Sequence, residues 1–157
     1  MVILNPNIRY TNFYAIWPTS SKIDLKAFVA VLNSTFQILF TELYGKTMYG
    51  GGAMKTDGND IKKIETLKVE NVEKETVRRL RSIFDQMKAR VILPTLEECG
   101  IDGSKPIREQ EPKPMADRKE LDDIIFDILG LSPEERREVY WATCELVKNR
   151  IMKSQSL

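Results

Sequence analysis

The sequence predicts an α+β fold that is mostly helical: a small strand–helix–strand lobe followed by an antiparallel helical bundle. Three observations carry this. Residues 8–17 are rich in aromatic and β-branched types, the mark of a buried strand. Four later stretches place apolar residues at three-and-four spacing, the signature of helices with one buried face. The texture then changes near residue 70, which divides the chain into an α/β lobe over 1–70 and a helical region over 71–157.

Taken in order, the strand over 8–17 closes at Pro18, with turn chemistry in Thr19, Ser20 and Ser21. A single amphipathic helix is expected next, because Leu25, Phe28, Val29, Leu32, Phe36, Leu39, Phe40 and Leu43 share one wide face. Asp24 suits its N-cap and Gly45 its C′ position. Residues 46–60 break all periodicity, and Ile61, Ile64, Leu67 and Val69 then suggest a helical turn leading into a short strand. From about Val72 to Val91 a helix carries the seam Val77, Leu80, Phe84, Met87 and Val91, and Pro94 stops it. Residues 94–115 hold four of the seven prolines and read as a long connection draped over the surface or ordered by a partner. A helix from about Asp117 to Leu129 stops at Gly130. The last opens on a capping box, Ser132-Pro133-Glu134-Glu135, with proline at N1, and runs through Ile151.

Composition narrows the function classes. Net charge is +1, and the two halves carry 8 Lys/Arg against 6 Asp/Glu and 16 against 17, so polyanion binding would need a local patch. The chain has no histidine, which removes Ser-His-Asp triads, HExxH zinc sites and imidazole bases. Its two cysteines, Cys99 and Cys144, read as a loop thiol and a partly buried helix residue, and fit a reducing cytoplasm. There is no signal-peptide pattern, and no apolar run approaches ~18 residues, so no membrane span is expected.

Among the motifs, Asn5-Pro6-Asn7-Ile8 lacks the second proline and the aromatic ring of an amino-methyltransferase catalytic loop, and reads as a turn. The stretch from Tyr44 to Lys55 is richer. Gly50, Gly51 and Gly52 would let backbone N–H groups approach a phosphate, Lys46 and Lys55 add charge, and Thr47 or Tyr49 could reach a base. It matches neither a P-loop nor GxGxxG, and the same composition suits a plain turn between a helix and a strand. Arg78, Arg79 and Arg81 read as a solvated face paired with Glu73, Glu75 and Asp85. Asp117, Asp122 and Asp123 read as acids favoured by a helix N-terminus rather than metal ligands.

Two ordered stretches carry a family resemblance. The first is Leu32-Asn33-Ser34, then Phe40, Glu42, Gly45, the glycines 50–52 and Asp60-Ile61-Lys62-Lys63-Ile64. The second is Asp117-Arg118-Lys119-Glu120-Leu121-Asp122-Asp123, Phe126-Asp127, Leu129-Gly130-Leu131, Glu135-Arg136, Val139-Tyr140, Leu146-Val147, Arg150 and a closing Lys153-Ser154-Gln155-Ser156. Together they resemble the C-terminal target-recognition region and helical tail of N6-adenine-specific DNA methyltransferases of restriction–modification systems. The resemblance implies a target-recognition-like lobe that binds double-stranded DNA through Lys46, Thr47, Tyr49, Gly50, Gly51, Gly52 and Lys55. It further implies that the S-adenosylmethionine site and the catalytic loop belong to a catalytic domain lying N-terminal to this region. This chain would then be a C-terminal piece with no catalytic residue, cofactor or metal of its own, expressed alone or encoded as a split part. The alternative is a helical protein-interaction module with no nucleic-acid contact, docking a catalytic subunit or forming a homodimer through the Val77–Val91 seam and the last helix.

Overall fold

The computed structural model describes residues 18–47, 54–55 and 57–155. The predicted strand over 8–17, the Asn5-Pro6 turn and the loop residues Tyr49, Gly50, Gly51 and Gly52 lie outside them. The described chain is mostly helical. Its elements are α1 (Leu25–Leu32), α2 (Thr35–Tyr44), β1 (Lys46–Thr47), β2 (Met54–Lys55), α3 (Gly58–Ile61), α4 (Lys74–Lys88), α5 (Thr95–Glu98), α6 (Ala116–Leu129) and α7 (Pro133–Gln155). Short 3-10 turns occupy Val69–Asn71 and Ile107–Glu109.

Where one helix was expected over 25–43, there are two, bent by 62°. Apolar spacing runs through the break, but local polar chemistry overrides it. Asn33 Nδ2 donates to the Val29 carbonyl at 2.8 Å, closing α1, while Ser34 Oγ accepts from Gln37 N at 3.2 Å and opens α2. Asp24 caps α1 as its position predicts, accepting from Ala27 N at 3.0 Å. Among the described residues the only strands are β1 and β2, paired antiparallel with Lys46 opposite Lys55 and Thr47 opposite Met54. Val69, expected in a short strand, begins a 3-10 turn instead and is buried.

Two apolar clusters hold the fold. The first joins Ala27, Ala30 and Val31 of α1 to Leu80, Ile83 and Met87 of α4 and to Leu121, Ile124 and Ile125 of α6, with Val69 beside them. The second gathers Cys99, Ile101 and Ile107 from the proline-rich segment, Phe126 of α6, and Val139, Tyr140 and Cys144 of α7. Each cluster draws on helices from both sides of residue 70, because α1 packs on α4 and α2 packs on α7. Helix α6 serves both: Leu121 and Ile125 face one cluster, and Phe126, one position on, meets Tyr140 edge-on at 5.7 Å in the other.

The seam on α4 is an intramolecular contact. Leu80, Ile83 and Met87 are buried and Val77 and Phe84 pack beside them, whereas Val91, counted in the seam from spacing alone, lies past the helix end and is 78% exposed. The connection over 94–115 is docked rather than draped. It contributes buried Glu98, Cys99, Ile101 and Ile107, and it is stitched by Lys113 N to Cys99 O at 3.1 Å, Met115 N to Glu98 O at 3.0 Å and Trp141 Nε1 to Gln110 O at 2.8 Å. Prolines hide this from a periodicity reading, since a segment without regular helix can still bury its side chains when its backbone groups find partners.

Two helix ends close on glycines in the left-handed region, Gly100 at φ 65° and Gly130 at φ 68°. Both make the paired closing bonds of a Schellman motif: Ile101 N to Leu96 O at 2.9 Å with Gly100 N to Glu97 O at 3.0 Å, and Leu131 N to Phe126 O at 3.0 Å with Gly130 N to Asp127 O at 3.1 Å. Their surroundings differ. A Cβ at Gly130 meets open space, whereas one at Gly100 runs into the Lys113 carbonyl. Gly130→Ala is therefore expected to cost about 1–2 kcal/mol, and Gly100→Ala several times that, as read from urea unfolding. Equal losses at the two positions would count against the docked course of residues 99–113.

Candidate functional site

Two polar constellations stand out, one exposed and one buried. The exposed one is the hairpin of β1 and β2. Pairing in register sets Lys46 and Lys55 side by side, and both side chains are more than half exposed. The turn that follows supplies their counter-ions. Lys46 Nζ lies 3.2 Å from Asp57 Oδ2 and 3.1 Å from Asp60 Oδ2, and Lys55 Nζ lies 3.2 Å from Asp57 Oδ1. Lys63 Nζ stands 4.0 Å from Asp60 Oδ1. Asp57 and Asp60 form a reciprocal capping box around α3, in which Asp57 N donates to Asp60 Oδ2 at 3.3 Å. Hydrogen bonds from Lys46 and then Lys55 hold the Asp57 carboxyl below its usual range, and donating to Asp60 and then Asp57 raises the Lys46 ammonium.

Of the seven residues expected to touch DNA, the structure thus brings Lys46 and Lys55 together. Thr47 is described only through its backbone pairing with Met54. Sequence reading misses Asp57 and takes Asp60 only as part of the Asp60-Ile61-Lys62-Lys63-Ile64 motif, although an Asp-x-x-Asp pattern before a helical turn is a capping-box signal. The arginines of α4 are solvated as expected, yet only Arg78 pairs within its helix, with Glu75 at 2.8 Å; Arg79 and Arg81 reach Glu120 of α6 and Asp24 beside α1.

The buried constellation lies where α2, α5, α6 and α7 meet. Arg118 and Asp122 stand one helical turn apart on α6 and are 3% and 0% exposed. Asp122, read from sequence as an acid favoured by the N-terminus of its own helix, caps a different helix. Its Oδ1 accepts from Thr35 N at 2.7 Å, and its Oδ2 accepts from Thr35 Oγ1 at 2.6 Å and Tyr140 Oη at 3.0 Å. Arg118 Nη1 donates to the Asn33 carbonyl and to Thr35 Oγ1, both at 3.2 Å, and its Nε donates to Glu98 Oε2 at 2.9 Å. Glu98 also accepts a bidentate pair from Arg90, at 2.6 and 2.9 Å, and the Leu93 amide at 2.9 Å. Arg90 is held in turn by Asp117 at 2.6 and 2.9 Å. Outside this cluster, Arg150 of α7 clasps Glu42 of α2 through both carboxylate oxygens, at 2.9 and 2.7 Å.

Burial sets the ionisation here. It pushes the Asp122 carboxyl up against the pull of Arg118 and its three donors. At Glu98 burial acts in the same sense, but the bonds from Arg90, the Leu93 amide and Arg118 outweigh it and hold the carboxyl down to about 2. Cys99 and Cys144, read from sequence as a loop thiol and a partly buried helix residue, are both fully buried in the same apolar cluster. The neighbouring Cys144 and burial push the Cys99 thiol up, which leaves it a poor nucleophile. Among the described residues no group of three or more His, Cys, Asp or Glu could hold a metal ion. No single described helix is long and apolar enough to cross a membrane.

Comparison with protein-family models, with curated proteins and with solved structures found no match. The chain's own geometry therefore carries the functional argument.

Because the Glu98 carboxyl is depressed from 4.5 to about 2 in the folded state, its stabilisation is complete above pH 4.5 and is lost as pH falls toward 2. Asp117, lowered by Arg90, acts in the same direction, whereas Asp122, raised by burial, opposes it. Wild-type stability from urea titrations should fall across that window. Glu98→Gln should lose roughly 3 kcal/mol at neutral pH and show a flatter acid limb. An unchanged acid limb in the variant would remove Glu98 from this role.

Proposed function

We propose that this chain is the DNA target-recognition and structural part of an adenine-specific DNA methyltransferase, binding DNA without catalytic activity of its own. The observation that carries the DNA-binding reading is the pairing of Lys46 with Lys55. The hairpin sets two exposed ammonium groups at the root of the glycine-rich segment, with Lys62 and Lys63 exposed just beyond α3. Residues 46–63 hold four lysines against two aspartates, a local excess of charge in a chain of nearly zero net charge. In this reading the lysines and the backbone amides of Gly50, Gly51 and Gly52 hold phosphates, and Tyr49 or Thr47 reaches a base edge.

The methyltransferase reading draws on how the two motif stretches meet. Asn33 ends α1 and Ser34 opens α2, and this junction is seated on Arg118 and Asp122 of the second. Glu42 of the first pairs with Arg150 of the second, and Asp122 and Phe126 both contact Tyr140. Several of the residues that carry the resemblance thus also lock the fold, which suits a shared architecture. The C-terminal helices, an antiparallel bundle in this account, orient the N-terminal lobe against a catalytic domain that supplies S-adenosylmethionine. A second reading, a protein-docking module, draws on Val91, Ile92 and Leu93, a consecutive apolar run exposed by 78%, 40% and 38%. Sedimentation of the purified chain tests its homodimer version, which a monomer would exclude.

Fluorescence anisotropy against duplex DNA across a salt series tests the first reading. Binding should weaken steeply with salt. Lys46→Ala with Lys55→Ala should lower the affinity and reduce the salt slope by about one unit per lost phosphate contact. An unchanged slope would move the DNA surface elsewhere on the chain.

A further inference from the structure

The hairpin lysines are not waiting free. One carboxylate lies between them, with Lys46 on one oxygen and Lys55 on the other, each at 3.2 Å. Two ammonium groups set on the two oxygens of a single anion is also the arrangement that two lysines adopt around the non-bridging oxygens of a phosphate. The distances exceed the 2.7–2.9 Å of a tight charge-assisted bond, and the lysine side chains are 62% and 56% exposed. Such pairs exchange readily, because solvent screens them and each costs side-chain freedom. Asp60 differs: its side chain is only 8% exposed and is tied to the Asp57 amide, so it keeps hold of Lys46 when Asp57 lets go.

Resting on the DNA-binding reading above, we propose that Asp57 occupies the place of a nucleic-acid phosphate between Lys46 and Lys55, so that the chain carries its own competitor for DNA. Binding then exchanges one anion for another. The lysines pass from the carboxylate to a phosphate, and the released Asp57 takes up a cation from solution. Each binding event therefore releases about one cation fewer than the lysine contacts alone would give. The turn at Asp57 and Asp60 thereby lowers affinity for any stray phosphate while leaving the lysines arranged for a backbone that offers several at once.

The test compares the parent chain with Asp57→Asn and Asp57→Ser on a short fluorescein-labelled duplex over a salt series. Both replacements remove the charge, and both residue types cap helices well, so α3 keeps its start. The expected result is tighter binding by about five-fold at low salt for both variants, the size of one exposed ion pair, and a salt slope steeper by about one unit. Binding by the parent that depends on Lys46 and Lys55 but is unchanged or weaker in both variants would overturn the competitor role and leave the DNA-binding reading intact. Absence of salt-dependent binding in all three chains would overturn both.

Discussion

The buried charges on α6 set how α2, α5 and α7 are laid against it. Arg118 and Asp122 are one turn apart and point into the joint between the two apolar clusters, where water is excluded and the effective dielectric is low. A charge there is tolerated only if its partners are in place, and they come from different parts of the chain: Asn33 and Thr35 from the junction of α1 and α2, Glu98 from α5, Tyr140 from α7. The apolar clusters supply most of the driving force, since fully burying a side chain such as Ile83 or Leu121 yields about 1.5–3 kcal/mol. Apolar contact alone would accept several ways of laying α2 against α6. The ionic joint accepts one, because any slip leaves a buried carboxylate or guanidinium unpaired at a cost of several kcal/mol.

The two constellations show how differently the same residue types behave with depth. Around Glu98, four donors converge at 2.6–2.9 Å on a carboxylate that is 1% exposed. Around Asp57, two lysines stand at 3.2 Å in water. The first arrangement is permanent while the protein is folded, because no solvent can replace a lost partner. The second is exchangeable, because solvent always can. Structural charge has been buried and exchangeable charge left outside, and the short capped turn of α3 is the only described helix placed wholly at the exposed site.

Much of the helical content was legible because it is written in apolar spacing. α4, α6 and α7 stand close to where Leu80, Leu121 and Val139 with their neighbours put them. What escaped was written in polar side chains acting at a distance. The break at Asn33–Ser34 cannot be read from apolar period, since the period continues through it. The acid that seats Thr35 lies on another helix. Arg118 and Asp122 did carry a signal: a charged pair at i and i+4 beside Leu121 and Ile125 sits on or next to the buried stripe. The exposed site was legible only in part, because glycines and lysines announce a loop with charge, while the partnership with Asp57 depends on how the hairpin folds back.

The hydrogen bonds from Thr35 to Asp122 join positions 87 residues apart. Chains leave the ribosome from the N-terminal end, so α1 and α2 emerge while α6 and α7 are still being made. During that interval the Thr35 amide and the Asn33 carbonyl have only water to bond, and the apolar faces of both helices lack the surfaces that later cover them. This protein cannot be assembled half by half during synthesis. The joint closes only once α6 and α7 have been made, and until then part of the apolar surface of α1 and α2 stays uncovered.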